Sequence, residues 1–196
     1  MNRLVIESST AQASVALFSG SELLVEEVFP SGRGPVSQFF SILERTLKLV
    51  DQLDELVVGV GPGSYSGIRI GISAAIGLQL AREIPAMGIV SLLGFEGDNY
   101  QVVLDARGSS TFAKVANGML VAAPENCTRE EMLEKIDSSW ITFSPDEIGD
   151  LSLTKSFPLA SMLGKRVLAG GVIPLPLQPL YLKKPHITAA KTIPLF

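Results

Sequence analysis

Histidine, cysteine and charge are all scarce in this sequence. Its 196 residues hold one histidine, His186, and one cysteine, Cys127. A single cysteine excludes an intrachain disulfide and suits a reducing compartment. Closed zinc sites draw on several imidazole and thiolate ligands, so no metal centre is expected. A Ser–His–Asp triad would have to use His186, set between Pro185 and Ile187 in a proline-rich tail. Charged residues make up only 18% of the chain against 46% apolar. That composition excludes extensive disorder, and the shortage of polar surface leaves room for a partner to cover part of it. The net charge is −4 and the basic residues are scattered, whereas a free-standing nucleic-acid binder carries a basic face. No stretch approaches the ~18–20 apolar residues of a membrane span. The opening MNRLVIESSTAQ lacks a signal-peptide pattern. A cytoplasmic protein without membrane contact is the expectation.

Hydropathy patterning predicts an α/β chain. Residues 3–7, 13–19 and 22–29 read as strands, the last two split by Gly20-Ser21 as a tight turn. A helix is predicted over 36–50, with Val36, Phe40, Leu43, Leu47 and Val50 at helical spacing and Phe39, Ile42 and Leu49 as a second stripe. This apolar arc is wider than one sheet requires. A short strand at 55–60 leads into Gly61-Pro-Gly-Ser-Tyr-Ser-Gly67, an apolar helix follows to about Arg82, and a strand is predicted at 86–90. From about residue 98 a three-stranded meander is expected, with Asn117-Gly118 as its second turn. Thr128 and Glu131 form a capping box that starts a helix. Trp140–Phe143 reads as a strand and 158–164 as a short helix. The prolines beyond residue 174 predict an extended tail. The sequence divides into a lobe over 1–97 and a smaller lobe with a Pro-rich tail over 98–196.

The glycine-rich turn is the most specific stretch. A strand–glycine turn–helix can hold phosphate through backbone N–H groups and the helix dipole. Neither GxxxxGK[ST] nor GxGxxG is matched, since Gly67 falls one place late after Gly61 and Gly63. Within the following helix, Gly67, Gly71, Ala74 and Ala75 lie near one face, beside a stripe of Ile68, Ile72 and Ile76. Each glycine costs a helix roughly 0.8–1 kcal/mol, so glycines at 67, 71 and 77 imply a packing return. Two readings stand: close packing of helices 36–50 and 66–82 on their own sheet, or a smooth surface shared with another protein. Arg69, in this apolar helix, is expected to be buried and to satisfy carbonyls or an acid.

GVGPGSYSGIRIGISAAIGLQLA resembles the hallmark segment of the bacterial TsaB (YeaZ) family. Flanking stretches agree: Ser8-Ser-Thr10 with Ala13–Leu17 is similar to its first hairpin, Ser37-Gln38 to a run at its first helix, Leu104–Arg107 to its DAR motif, and Gln178–Leu182 to its P-x-Y-L signature. The resemblance implies an actin-like (ribonuclease-H-like) two-lobe fold with mixed sheets and a degenerate nucleotide site. It implies a non-catalytic scaffold that forms a heterodimer with a TsaD-like subunit and acts with a TsaE-like ATPase to make N6-threonylcarbamoyladenosine at position 37 of tRNA. It also implies homodimers through the same helices and only indirect contact with tRNA. The departures are Glu7 where actin-like ATPases carry Asp, Val36 where the family has His, and a short loop after Ser91.

The residues expected at a partner interface are Val36, Phe39, Phe40, Leu43, Leu47, Gly67, Ile68, Gly71, Ile72, Ala74 and Ala75. Vestigial phosphate or nucleotide contacts are expected at Ser9, Thr10, Gly61, Gly63, Ser64 and Asp105. No cofactor is expected for the chain alone, with ATP or ADP only at a subunit junction. The competing function is an actin-like ATPase or kinase, or a glycoprotease-like peptidase acting on its partner. Glu7 and Asp105 are the carboxylates such chemistry would use.

Overall fold

A computed structural model describes residues 1–31, 36–106, 108–149, 151 and 153–182. The elements in chain order are β1 (Asn2–Glu7), β2 (Gln12–Ser19), β3 (Glu22–Pro30), α1 (Val36–Leu47), β4 (Glu55–Gly59), α2 (Tyr65–Arg82) and β5 (Ala86–Ile89), then a 3-10 turn (Ser91–Gly94). They continue with β6 (Tyr100–Asp105), β7 (Ser110–Ala116), β8 (Met119–Leu120), β9 (Glu125–Cys127), α3 (Arg129–Lys135), β10 (Thr142–Ser144), β11 (Thr154–Lys155) and α4 (Ala160–Ala169).

The first sheet runs β3-β2-β1-β4-β5. Its hairpin strands pair antiparallel, while β1–β4 and β4–β5 pair parallel through the crossover helices. Both faces are covered, so the central strands read as unbroken apolar runs. Leu4 and Ile6 of β1 point to one side, where α1 and α2 close a core with Val15, Leu17, Leu56 and Val58. Val5 points to the other side. The second sheet runs β11-β10-β6-β7-β8, with β9 added against β7. The expected mixed two-sheet, actin-like architecture is what forms.

Between the sheets lies one continuous cluster. Val5, Phe18, Val57 and Ile89 meet Phe95, Tyr100, Val102, Val115 and Phe143 there. α4 joins this cluster through Ala160 and Leu163, so a helix from the second half of the sequence packs on the first sheet. The Ser14 hydroxyl oxygen accepts the Ala160 N–H at 2.7 Å, and the Glu26 carboxylate accepts that of Ser161 at 2.8 Å. At the far end of α4, buried Arg166 binds Asp98 at 2.6 Å and the Gly97 carbonyl. α4 is longer than the predicted 158–164 because Gly164, a weak helix residue, is held by the Phe18 ring at its bare Cα.

Other differences have local causes. α1 stops at Leu47, three residues early, as the N–H of Leu49 turns to the Thr46 carbonyl at 3.2 Å and tightens the last turn. The strand expected at Trp140–Phe143 lies at Thr142–Ser144, because the Trp140 N–H is taken by Asp137 in a turn. β9 occupies residues expected only to precede a helix. The predicted capping box holds: Glu131 N–H donates to the Thr128 hydroxyl oxygen at 3.2 Å and Thr128 N–H to the Glu131 carboxylate at 2.8 Å. Arg33, Arg107, Lys183, Lys184, Pro185, His186 and Pro194 lie outside the described residues.

Gly164→Ala should cost about 1–3 kcal/mol by overpacking against Phe18, lowering the melting temperature by roughly 2–4 °C per kcal/mol. Thermal unfolding of the variant checks this.

Candidate functional site

Two turns meet at the end of the first sheet. One is Ser8-Ser9-Thr10 after β1, and the other is Val60–Ser64 between β4 and α2. The backbones touch because the second turn carries no side chain at the contact: a Cβ on Gly63 would overlap the Ser9 carbonyl oxygen. The Ser64 N–H then donates to that carbonyl at 2.6 Å. Ser64 also caps α2, accepting the Gly67 N–H at 3.3 Å. The helix itself leans on the first turn. A Cβ on Gly67 would overlap the Ser8 carbonyl oxygen, one on Gly71 would crowd the Ser8 hydroxyl at 2.6 Å, and that hydroxyl donates to the Gly67 carbonyl at 2.9 Å. Gly67 and Gly71 therefore admit the Ser8–Thr10 turn, not a second helix.

This placement engages the turn's donors. The Gly61 N–H donates to the Ser91 hydroxyl oxygen at 3.0 Å, Ser64 N–H to Ser9 and Gly67 N–H to Ser64. Three N–H groups that could greet a phosphate are thus already bonded within the chain. Thr10 turns its hydroxyl to the Gln12 carbonyl at 2.9 Å. Asp105 lies at the exposed end of β6, its N–H donating to Asp146 at 3.0 Å.

Glu7 is fully enclosed beneath the junction. One carboxyl oxygen accepts the Ser9 N–H at 2.6 Å, while the other has no hydrogen-bond partner and lies against the bare Cα of Gly59. Burial pushes its pKa up to about 7, opposed in part by the polar groups of Ser9, Ser91 and Ser8 around it. Its enclosure continues that of the apolar residues before it in β1. Among the described residues no three His, Cys, Asp or Glu side chains gather as a metal site, and no helix is long and apolar enough to cross a membrane.

The two helices divide cleanly into inner and outer faces. Phe39, Leu43, Gly67, Ile68, Gly71, Ile72, Ala74 and Ala75, all expected at an interface, are buried in the chain's own core. They pack against the first sheet because that sheet needs an apolar cover over Leu4, Ile6 and Val58. Leu47 is half-buried, and Val36 and Phe40 are half-exposed. The surface left open on α2 is a different stripe: Arg69, Ser73, Ile76, Gly77 and Leu80, which share one helical face. Leu80 is 75% exposed and Gly77 has no atom within 4 Å of a built Cβ. Periodicity alone could have found this second stripe, since Ile76 and Leu80 are four residues apart. A shallow cleft separates the first turns of the two helices, lined by Ser8, Ala13, Phe29, Val36, Ser66 and Ile70.

Arg69 departs from its expected burial. It is exposed, lies 3.9 Å over the Tyr65 ring and donates to the Tyr181 hydroxyl at 2.9 Å. The two tyrosine rings stack at 5.2 Å. Helix position and apolar neighbours suggested a buried arginine, but its face points outward, where aromatic stacking satisfies it. The tail follows from there. Leu180 N–H donates to the Val60 carbonyl at 2.8 Å, and Leu175 pairs with Gly88 of β5. The P-x-Y-L stretch thus straps the glycine turn in place.

Two substitutions separate the faces. Gly67→Ala should cost about 3 kcal/mol, since a carbonyl oxygen blocks the new methyl. Gly77→Ala, in open space, should stabilise by up to about 1 kcal/mol through helix propensity. Denaturant unfolding of both variants checks the pair.

Residues 40–140 match the family model of TsaD, tRNA N6-adenosine threonylcarbamoyltransferase. Among curated relatives, TsaB of Escherichia coli (strain K12), a tRNA threonylcarbamoyladenosine biosynthesis protein, is 34% identical over 98 residues, 47% of this chain and 42% of that protein. An uncharacterised protein of Mycobacterium leprae is 28% identical over 199 residues, 93% of this chain and 55% of that protein. The chain spans about half the length of the curated relatives it matches. Among solved structures, YeaZ from Pseudomonas aeruginosa superposes with a TM-score of 0.67 at 19% identity, covering 92% of this chain and 99% of that one. A second structure from that organism, described as similar to peptidase YEAZ, has a TM-score of 0.71 at 18% identity, with coverage of 93% and 99%. The fold, the glycine turn and these likenesses agree: the chain belongs to the TsaD family of tRNA threonylcarbamoylation proteins, on its TsaB (YeaZ) branch.

Proposed function

We propose that this chain is a non-catalytic scaffold subunit that works with a TsaD-like enzyme and a TsaE-like ATPase in forming N6-threonylcarbamoyladenosine at position 37 of tRNA. The carrying observation is the uncovered outer face of α2, with Ile76, Gly77 and Leu80 exposed on it, together with the half-exposed Val36 and Phe40 of α1. Apolar residues on a helix that already covers its own sheet leave surface for a second protein. A gap at Gly77 lets that protein's backbone come close. The TsaD-like subunit docks here, and in its absence a second copy of the chain takes the same face.

The chain brings no cofactor of its own in this reading. The N–H groups of Gly61, Ser64 and Gly67 are bonded internally, and in this reading ATP or ADP binds only where the partner completes a junction. With a net charge of −4, the chain meets tRNA only through its partner. The complex works in the cytoplasm, where tRNA is modified.

Reconstitution of the modification from purified subunits tests the proposal. Activity should require this chain. Leu80→Asp, on the open face, should leave unfolding unchanged but weaken the partner complex by ~2 kcal/mol or more, roughly 30-fold in Kd, with modification falling in parallel. Full modification without the chain would defeat the scaffold role. Gly71 is a poor site for such a test, because it lies inside against Ser8.

A further inference from the structure

The outer helical faces account for a partner, but Glu7 is left without a task. Glu7 ends β1, and its neighbours across the sheet, Ser14 and Gly59, leave room for its carboxyl. Glu7 is fully buried, and one of its carboxyl oxygens and the buried Ser9 hydroxyl both lack a hydrogen-bond partner. The carboxyl sits where three backbone segments converge. It holds the first through the Ser9 N–H at 2.6 Å. It fills the space a side chain would take at Gly59, on the second. It adjoins the Ser91 hydroxyl, which in turn receives the Gly61 N–H. The unpaired oxygen lies where a side chain on Gly59 would stand.

We propose that Glu7 is a proton-controlled latch that, when protonated, holds the Ser8–Thr10 turn, the Gly59–Ser64 turn and Ser91 together, and that releases them with the first turn of α2 on ionisation. The physical basis is the cost of an enclosed charge with too few donors. A neutral carboxyl fits the pocket with one accepted N–H and the hydroxyls of Ser9 and Ser91 beside it. A carboxylate does not, and the nearest relief is separation of the turns so that water enters. The surrounding groups are the Ser8 and Ser9 backbone and side chains, Gly59 of β4, Ser91, and Ser14 across the strand pair in β2, whose hydroxyl is engaged by Ala160 of α4. None of these is titratable, and no charged side chain among the described residues contributes to holding Glu7 in either form.

The sign follows from the upward displacement of Glu7 to about 7 from an ordinary 4.5. Stability from the closed latch is full below pH 4.5, falls as pH rises towards 7, and is absent above it. This inference does not depend on the partner reading and is tested on the full chain alone. Amide hydrogen exchange, corrected for intrinsic rates, reports opening at Ser9, Gly61 and Ser64. Their opening constant should grow at least thirtyfold between pH 5 and pH 7.5 in the natural sequence and stay flat in Glu7→Gln, whose neutral amide mimics the protonated acid. Equal pH profiles in the two proteins would overturn the latch. Should Glu7→Gln fail to fold, carbon-13 detection of the Glu7 carboxyl in the natural chain decides. A midpoint near 7 supports the latch and one near 4.5 refutes it.

Discussion

The junction at the end of the first sheet, on which the placement of α2 depends, is backbone meeting backbone. The carbonyls of Ser8 and Ser9 press into the glycine turn and the first coil of α2, at Gly63 and Gly67, with no side chain between. That contact sets how close α2 lies to β1. It engages the Ser64 N–H, while those of Gly61 and Gly67 are taken by Ser91 and Ser64. It also fixes which face of α2 is left for solvent. Small residues often admit a neighbouring helix, but here the neighbour is a turn, and the helix stands with its back to the sheet.

The consequence is a two-sided first lobe. On one side the sheet is covered by α1 and α2, whose inner faces form a conventional core. On the other side α4 and the second sheet share a cluster centred on Phe18, Phe95 and Tyr100. The stacked Tyr65 and Tyr181, with Arg69 over Tyr65 and bonded to the Tyr181 hydroxyl, close the end where the glycine turn emerges.

The strand pattern, the capping box at Thr128 and the turn at Gly20 were legible in the sequence, since each follows from chemistry within a few residues. The fold class followed from the order of these elements. The orientation of α2 was not legible, because Ile68 and Ile72 on its inner face are chemically indistinguishable from Ile76 and Leu80 on its outer face. Only the position of Ser8, some sixty residues earlier, decides between them. β9 escaped notice for the same reason: three residues carry no period, and their pairing with β7 is tertiary. Arg69 ran against expectation, lying outside on tyrosine. Charged residues follow the partners available to them, and those partners come from distant parts of the chain.

The return of α4 to the first sheet bears on how the chain matures during synthesis. Ser14 meets Ala160 across 146 positions, so α4 cannot cover its part of the first sheet until that helix has been synthesised. Contacts of such sequence separation form late and slowly. Until then apolar sheet surface stays open there, and exposed surface of that kind invites aggregation.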